Sequence, residues 1–248
     1  MSKSQKILIA GIYLICLVLI LYGFFNFVDL SQISNYSYIQ EKTQILIKYK
    51  SENLLLFTLI YFIFCIVWIL LLGFASPLAL VSGFIFGKYF GTIISVLSFT
   101  LGCTLLYTFA NMYFKEYIFK YISRKISNLI FLFNKNEFLY FLIFRIAGGG
   151  GIPFAIQNVL PVVFNMKVKN YFYATLIGLV PSTFILNSLG SGIEKIIETD
   201  KDPTFSSIVT DPSIYLPLIG FVIILLISYF LKKKIFKKEN KILDKIFY

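Results

Sequence analysis

Histidine is absent from the 248-residue sequence, and charged residues make up only 14% of it. Histidine is the commonest metal ligand and general base, so its absence removes the usual starting point for a metal site or a hydrolytic centre. Soluble domains carry about 25% charged residues. The low charge content, together with 58% hydrophobic residues, predicts an integral membrane protein.

Cysteine is also scarce, and Cys16, Cys65 and Cys103 all lie within apolar runs. Cysteines in such surroundings are small buried apolar residues far more often than metal ligands or disulfide partners. We therefore expect no metal, no cofactor and no catalytic residue, and we expect that the protein is not an enzyme.

Long continuous apolar segments dominate what is present, and they predict membrane helices rather than the alternating strands of a barrel. Full spans are predicted at 7–28, 91–112, 170–190 and 214–231, and shorter apolar arms within 53–90 and 138–164. The connecting segments are a polar stretch at 29–52, a basic amphipathic stretch at 113–137, an acidic loop at 191–213 and a lysine-rich tail at 232–248. The basic amphipathic stretch is typical of a helix that lies on the membrane surface.

The net charge of +11 comes mainly from lysines at the ends of apolar segments. That placement is the orientation signal of a membrane protein, so we expect membrane lipids with anionic headgroups as partners and no nucleic acid.

The segment at 138–164 holds features that are costly inside a membrane: Arg145, the glycines at 148–151, and Pro153. Helix-breaking backbone at membrane depth is tolerated only where it is buried in protein or lines a cavity. An ionisable residue there marks a functional site by default. The rest of the chain is therefore interpreted as the scaffold for this segment.

A weak internal repeat relates the two halves of the core. Pro77 and Pro153 are 76 residues apart (153 − 77 = 76), and Asn111 and Asn187 share this offset. Ser76 and Pro77 predict a helix start, with serine as N-cap and proline at the first helical position. Arms of about a dozen residues measure about 18 Å, against a hydrocarbon core of about 30 Å, so an arm cannot cross alone.

Charge placement favours two re-entrant hairpins over broken crossing helices. With two hairpins that enter from opposite faces, both termini and the basic segment at 113–137 lie in the cytoplasm, and the acidic loop lies outside. The predicted fold class is an all-α polytopic membrane protein with two opposed re-entrant helical hairpins in an inverted repeat, plus flanking transmembrane helices. Its parts are an N-terminal helix and connector (1–52), a core (53–192), an external loop with the last span (193–231) and a basic tail (232–248).

Two stretches, PLALVSGFIFGKYFGTIISVLSFTLGC and FRIAGGGGIPFAIQNVLPVVFNMKVKNYFYATLIGLVP, resemble the DedA/VTT superfamily, in its SNARE-associated Golgi protein branch. The resemblance covers about 53–192. It implies two opposed re-entrant hairpins and translocation of a lipid or a lipid-linked carrier, by scrambling or by ion-coupled flipping. The chain departs from the family by its glycine run and by the absence of acidic residues from the hairpins, which argues against proton coupling.

The predicted site is an anion pocket in which Arg145 and the glycine turn hold a lipid phosphate, because backbone N–H nests and helix N-termini bind phosphate. Gln157 and Asn158 would hydrogen-bond the headgroup, and Ser76 with Pro77 would form the opposing helix start. The candidate residues are Arg145, Gly148, Gly149, Gly150, Gly151, Pro153, Gln157, Asn158, Ser76 and Pro77. Three structural alternatives stay open. Arg145 would only stabilise the hairpin tip, the glycines would only permit close packing, and Asn158 would only form hydrogen bonds between helices.

The leading functional interpretation is a translocator of phospholipid, a lipid-linked substrate or a small anion, in a bacterial inner membrane. The alternative is a non-transporting membrane assembly factor. A membrane enzyme is disfavoured, because the sequence offers no histidine and no membrane-facing carboxylate pair. Association into a homo-oligomer is compatible with either function.

Overall fold

The computed structural model describes residues 36–71, 73–116, 136–199 and 210–227, together with positions 15, 133 and 230. Helices account for nearly all of these residues, and none of them lies in a strand. The helices are α1 (Tyr36–Glu52), α2 (Leu54–Leu70), α3 (Ala75–Phe86), α4 (Lys88–Tyr113), α5 (Glu137–Ile146), α6 (Phe154–Val159), α7 (Val168–Thr199) and α8 (Pro212–Ile227). Two 3-10 turns, Gly148–Gly151 and Leu160–Phe164, flank α6.

Two of the described helices are long and apolar enough to cross a membrane. They are α4, with 26 residues, and the Val168–Ile197 part of α7. A third span results if α1 and α2, which meet at a bend of 109°, are counted together. The predicted spans at 91–112 and 170–190 are thereby confirmed as helices of spanning length.

The predicted short arms are confirmed as short helices. α3 has 12 residues and α5 has 10. At 1.5 Å per residue these helices measure about 18 and 15 Å, well below the thickness of a hydrocarbon core.

The long helices α4 and α7 form the centre and contact each other. Around them, α2 packs on α4, α5 packs on α7, α3 packs on both, and α6 packs on α4. Glycines let α3 and α7 approach unusually closely. A methyl group built on Gly83 would lie 2.0 Å from the carbonyl oxygen of Asn187, and one on Gly190 would lie 2.0 Å from that of Leu80.

Several boundaries differ from the sequence prediction. α3 begins at Ala75 with Phe74 as N-cap and without a side-chain cap, so Ser76 is not the N-cap and Pro77 occupies the third helical position. Proline is tolerated there because the first N–H groups of a helix have no intrahelical acceptor. The predicted connector at 29–52 contains the helix α1.

The acidic segment 191–213 is not wholly a loop, because α7 continues to Thr199. Asp211 precedes α8, and its Oδ1 accepts a hydrogen bond of 2.7 Å from the Ser213 backbone N–H. This bond stabilises the charged carboxylate and lowers the pKa of Asp211 below its usual value. The predicted first span at 7–28, the middle of the surface segment at 113–137 and the basic tail at 232–248 fall almost entirely outside the described residues.

Candidate functional site

Arg145 lies in the last turn of α5 and is only 1% exposed. The N-cap of this helix is Asn136, whose side chain accepts a hydrogen bond from the Leu139 N–H. Gly178 of α7 faces the arginine, and a methyl group built on it would lie 2.5 Å from Arg145 Cβ. The missing side chain at Gly178 therefore provides the space for the arginine between α5 and α7.

The guanidinium of Arg145 is held by neutral acceptors. Its Nη2 donates to Asn158 Oδ1 at 2.6 Å and to Tyr171 Oη at 2.9 Å. Its Nη1 has a longer contact of 3.5 Å with Gln157 Oε1. Among the described residues, no carboxylate contacts this charge.

Aromatic rings complete the enclosure of the guanidinium. Its central carbon lies 4.9 Å from the ring centroid of Phe141, 5.5 Å from that of Phe154 and 5.7 Å from that of Tyr171. Ring faces attract cations, and the attraction is larger where water is excluded. Neutral hydrogen-bond acceptors and ring faces together stabilise a charge that has no buried counterion in the described structure.

Tyr171 is a site residue that was not predicted from the sequence. Its ring stacks on Tyr107 at 4.4 Å and on Phe141 at 5.0 Å, and its hydroxyl lies 3.3 Å from the Asn158 carbonyl oxygen. The sequence contains a usable signal, because Tyr171 and Gly178 are seven residues apart (178 − 171 = 7) and so share one face of a helix.

The glycine turn is held by Gln157. The turn needs glycine, because Gly148 and Gly149 have φ of 64° and 72°. Gln157 Nε2 donates to the carbonyl oxygens of Gly148 at 3.3 Å and Ile152 at 2.6 Å. A methyl group on Gly149 would lie 2.0 Å from Gln157 Cδ. Gln157 therefore lies between the glycine turn and Arg145. The prediction that Arg145 and the glycine N–H groups bind one shared ligand stays a prediction.

Three polar atoms near the arginine are buried without a hydrogen-bond partner among the described residues: Arg145 Nε, Asn158 Nδ2 and Thr175 Oγ1. Leaving a buried donor unpaired costs about 1–3 kcal/mol. Two of these atoms are N–H donors on side chains that already contact each other, and N–H donors that include a guanidinium are suited to an oxyanion.

Of the remaining predicted site residues, some lie beside Arg145 and others do not. Pro153 is the N-cap of α6, one residue before the helix begins, and Asn158 is 1% exposed beside Arg145. Ser76 and Pro77 are exposed at the start of α3 and supply none of the contacts described around Arg145. Their role opposite the arginine stays a prediction.

The arginine has a structural counterpart in the first half of the core. A methyl group on Gly102 would lie 2.9 Å from Ile69 Cβ, and both residues precede the pair Gly178 and Arg145 by 76 positions (178 − 102 = 76; 145 − 69 = 76). The equivalent glycine contact is therefore made by Ile69 in the first half of the core and by Arg145 in the second half.

The family model of the VTT domain matches residues 72–192. These residues form a VTT domain, the domain of the DedA/SNARE-associated Golgi protein family. The VTT domain includes α3 and α4, the site around Arg145, and α7 as far as Gly192. The VTT domain match and the apolar helices together indicate a membrane protein. No curated protein and no solved structure matches the chain.

Proposed function

We propose that the VTT domain translocates a phospholipid, a lipid-linked substrate or a small anion across the membrane, with Arg145 as the anion-binding residue. The observation that carries the proposal is a buried arginine whose described contacts include no carboxylate. Within the part of the chain that the structure describes, Arg145 Nε and Asn158 Nδ2 are buried N–H donors without a hydrogen-bond acceptor.

The energetics favour a bound oxyanion at this position. An arginine at the centre of a bilayer costs about 2.5–3.5 kcal/mol on insertion scales, and hydrogen bonds to an anion would offset this cost more strongly than those to amide and phenol oxygens do. A phosphate would replace Asn158 Oδ1 and Tyr171 Oη as acceptors and would also use Nε, in the forked geometry that guanidinium groups prefer. The proposed binding step therefore exchanges neutral acceptors for a charged one.

Substrate access in this proposal requires the α6 side of the site to move. Asn158 and Gln157, which contact the guanidinium, are both in α6. The helix is joined to α5 through the glycine turn, and positive φ angles at Gly148 and Gly149 make this the most permissive backbone in the site. A shift of α6 would uncover Arg145 without disturbing its packing on Gly178.

The proposed architecture is a pair of hairpins that enter from opposite faces, α2–α3 and α5–α6. Their packing supports it: α2 lies on α4 and α3 on α7, whereas α5 lies on α7 and α6 on α4. An exchange of partners is expected where a two-fold axis relates two repeats, and an inverted repeat has such an axis. The 76-residue correspondence of the Ile69 and Arg145 contacts supports the same relation.

Cysteine labelling in spheroplasts tests this topology. In a variant that lacks Cys16, Cys65 and Cys103, single cysteines within 113–137 and 232–248 should be protected from an impermeant reagent. A cysteine at Asp202 in the acidic segment should react. Basic segments on opposite faces of the membrane would contradict the two-hairpin topology.

Purified protein in vesicles tests the function. Wild-type protein should move fluorescent anionic phospholipid between leaflets faster than protein-free vesicles do, and a panel of headgroups should give the substrate preference. The alternative, a non-transporting assembly factor, is favoured by the enclosure of Arg145, which is 1% exposed. Such a factor would leave every lipid at the protein-free rate, and that result would reject translocation of phospholipid.

A further inference from the structure

Arg145 is the only charged residue that is buried among the residues that the structure describes. The other buried polar side chains of that part of the chain are neutral hydroxyl and amide groups, such as those of Asn158, Thr175 and Asn187. A guanidinium is permanently charged. The described interior therefore carries a single fixed positive charge, and this charge limits which anion the site can hold.

The carboxylate of α5 is engaged away from this charge. Glu137 precedes Arg145 by eight residues (145 − 137 = 8), which corresponds to about 12 Å of helix. Its carboxylate accepts hydrogen bonds from the Lys167 backbone N–H at 3.2 Å and from Asn170 Nδ2 at 2.6 Å. Glu137 therefore binds the start of α7 and does not neutralise the guanidinium.

The N–H donors of the site suit a ligand with two charged oxygens. Nε and Nη2 of Arg145 lie on one edge of the planar guanidinium, and such an edge binds two oxygens side by side. Nε and Asn158 Nδ2 have no acceptor in the described structure, and Nη2 donates to Asn158 and Tyr171. A phosphodiester has two oxygens that share one negative charge, so it matches both the donor edge and the charge of the site.

A phosphomonoester differs from a phosphodiester by its second ionisation. It carries a charge of about −1.5 to −2 at pH 7, because its second pKa lies near 6. In a site with one positive charge, a dianion leaves a negative charge uncompensated among the rings of Phe141, Phe154 and Tyr171. Burial of an unpaired charge is strongly unfavourable, so the dianion must take up a proton before it binds.

We infer that the Arg145 site selects phosphate groups that carry a single negative charge, so that phosphodiester lipids bind and phosphomonoester dianions are rejected. The selection rests on the proposed function, since the substrate and the site are the same. The ligand is a lipid rather than a soluble diester, because aromatic rings and apolar helices surround the guanidinium. Phospholipids with an esterified headgroup are therefore favoured over lipid-linked monophosphates.

Thermal unfolding of the purified protein in a nonionic detergent tests the selection. The ligands are short-chain phosphatidic acid and its methyl ester, phosphatidylmethanol, which differ only by the methyl group that prevents the second ionisation. Phosphatidylmethanol should raise the unfolding midpoint equally at pH 5.5 and at pH 8. Phosphatidic acid should match it at pH 5.5, whereas at pH 8 about a hundredfold higher concentration should be needed, about tenfold for each pH unit above the second pKa.

The methyl ester also controls for titration of the protein. The titratable side chains that face the guanidinium are the Tyr171 hydroxyl of α7 and the Cys103 thiol of α4, and α5 adds the carboxylate of Glu137 two turns away. Phosphatidylmethanol keeps one charge over this pH range, so an effect of these groups changes the response to both lipids alike.

Two variants change the charge of the site by one unit. Arg145→Gln removes the positive charge, and Asn158→Asp places a carboxylate in contact with it, so both should lose the stabilisation by either lipid. The matched control is Asn165→Asp, which adds the same charge at an exposed residue that already contacts Lys115. Asn165 has a φ of 51°, which aspartate tolerates, and this variant should respond as wild type does.

Equal stabilisation of the wild-type protein by the two lipids at pH 8 would overturn the selection, and so would the absence of stabilisation by either lipid at pH 5.5. Stabilisation of folded Asn158→Asp protein by phosphatidylmethanol would also overturn it. Displacement of phosphatidylmethanol by dimethyl phosphate would overturn the assignment to a lipid. Translocation is not measured in this experiment, so its failure is distinguishable from failure of the proposed function.

Discussion

Replacing Arg145 with glutamine should reduce lipid translocation in reconstituted vesicles to the rate of protein-free vesicles. Glutamine can still donate one hydrogen bond to Asn158 Oδ1, so the variant should fold. It lacks the permanent charge and the forked donor pair that a phosphate requires. Lysine at this position keeps the positive charge but lacks the paired N–H donors of a guanidinium. Arg145→Lys should therefore keep the preference for anionic lipid and translocate it more slowly than wild type.

Controls for Arg145 must separate binding from folding. Arg124→Gln removes the same charge from the basic stretch and should translocate normally. Tyr171→Phe keeps the rings stacked on Tyr107 and Phe141 but removes one acceptor of Arg145. Hydrogen bonds between membrane helices contribute about 0.6 kcal/mol on average, so Tyr171→Phe should unfold slightly earlier than wild type while retaining translocation.

The two roles of Arg145 predict different results. If the arginine is only a structural post, Arg145→Gln should lose thermal stability in proportion to its loss of activity. If it binds the anion, activity should disappear while the unfolding midpoint falls only modestly. Wild-type translocation by folded Arg145→Gln protein would refute the anion-binding role.

Substituting Gly190 with leucine should prevent assembly of the helical core. Even a methyl group at this position would lie 2.0 Å from the Leu80 carbonyl oxygen and 2.8 Å from the Phe84 backbone nitrogen. Both obstacles are backbone atoms of α3, so no change of rotamer relieves the clash. Overpacking typically costs about 1–3 kcal/mol, and here we expect a loss at or above the upper end of that range.

Fluorescence-detected size-exclusion chromatography after heating measures the loss of thermal stability in the Gly190→Leu variant. Gly220→Leu, on α8 and with open space around it, is the matched control and should keep the wild-type melting profile. A Gly190→Leu protein that melts at the wild-type temperature would show that α3 does not lie against α7 in the way described.

The fold class and the positions of the helices can largely be predicted from the sequence. Continuous apolar runs predicted α4 and α7 because a backbone inside a bilayer must satisfy its own hydrogen bonds. The break at the four glycines, and Pro153 just after it, were equally readable, since glycine and proline act through the local backbone. Boundaries were less certain: Pro77 was expected at the first helical position, and it occupies the third because the whole first turn lacks acceptors for its N–H groups.

Only some of the contacts of Arg145 could be predicted from the sequence. Gln157 and Asn158 lie close in sequence, one turn into the following helix, and both reach the guanidinium. Tyr171 and Tyr107 lie on different long helices, and the spacing of Tyr171 from Gly178 relates it to the arginine only once the structure shows that Gly178 faces Arg145. Gln157 was expected to bind a headgroup, whereas in the structure its amide group bonds the glycine turn.

Hydrophobicity, glycine and proline act over a few residues, so the sequence alone was enough to predict a helical membrane protein with short interrupted arms. It also identified the arginine as the residue to explain, because a charge in an apolar run is visible without coordinates. The packed helices were needed to show that Asn158, Tyr171 and three aromatic rings stabilise that charge, and which glycines bring α3 against α7. The contact with Tyr171 and the contacts between α3 and α7 join residues far apart in the chain, and they depend on how whole helices cross.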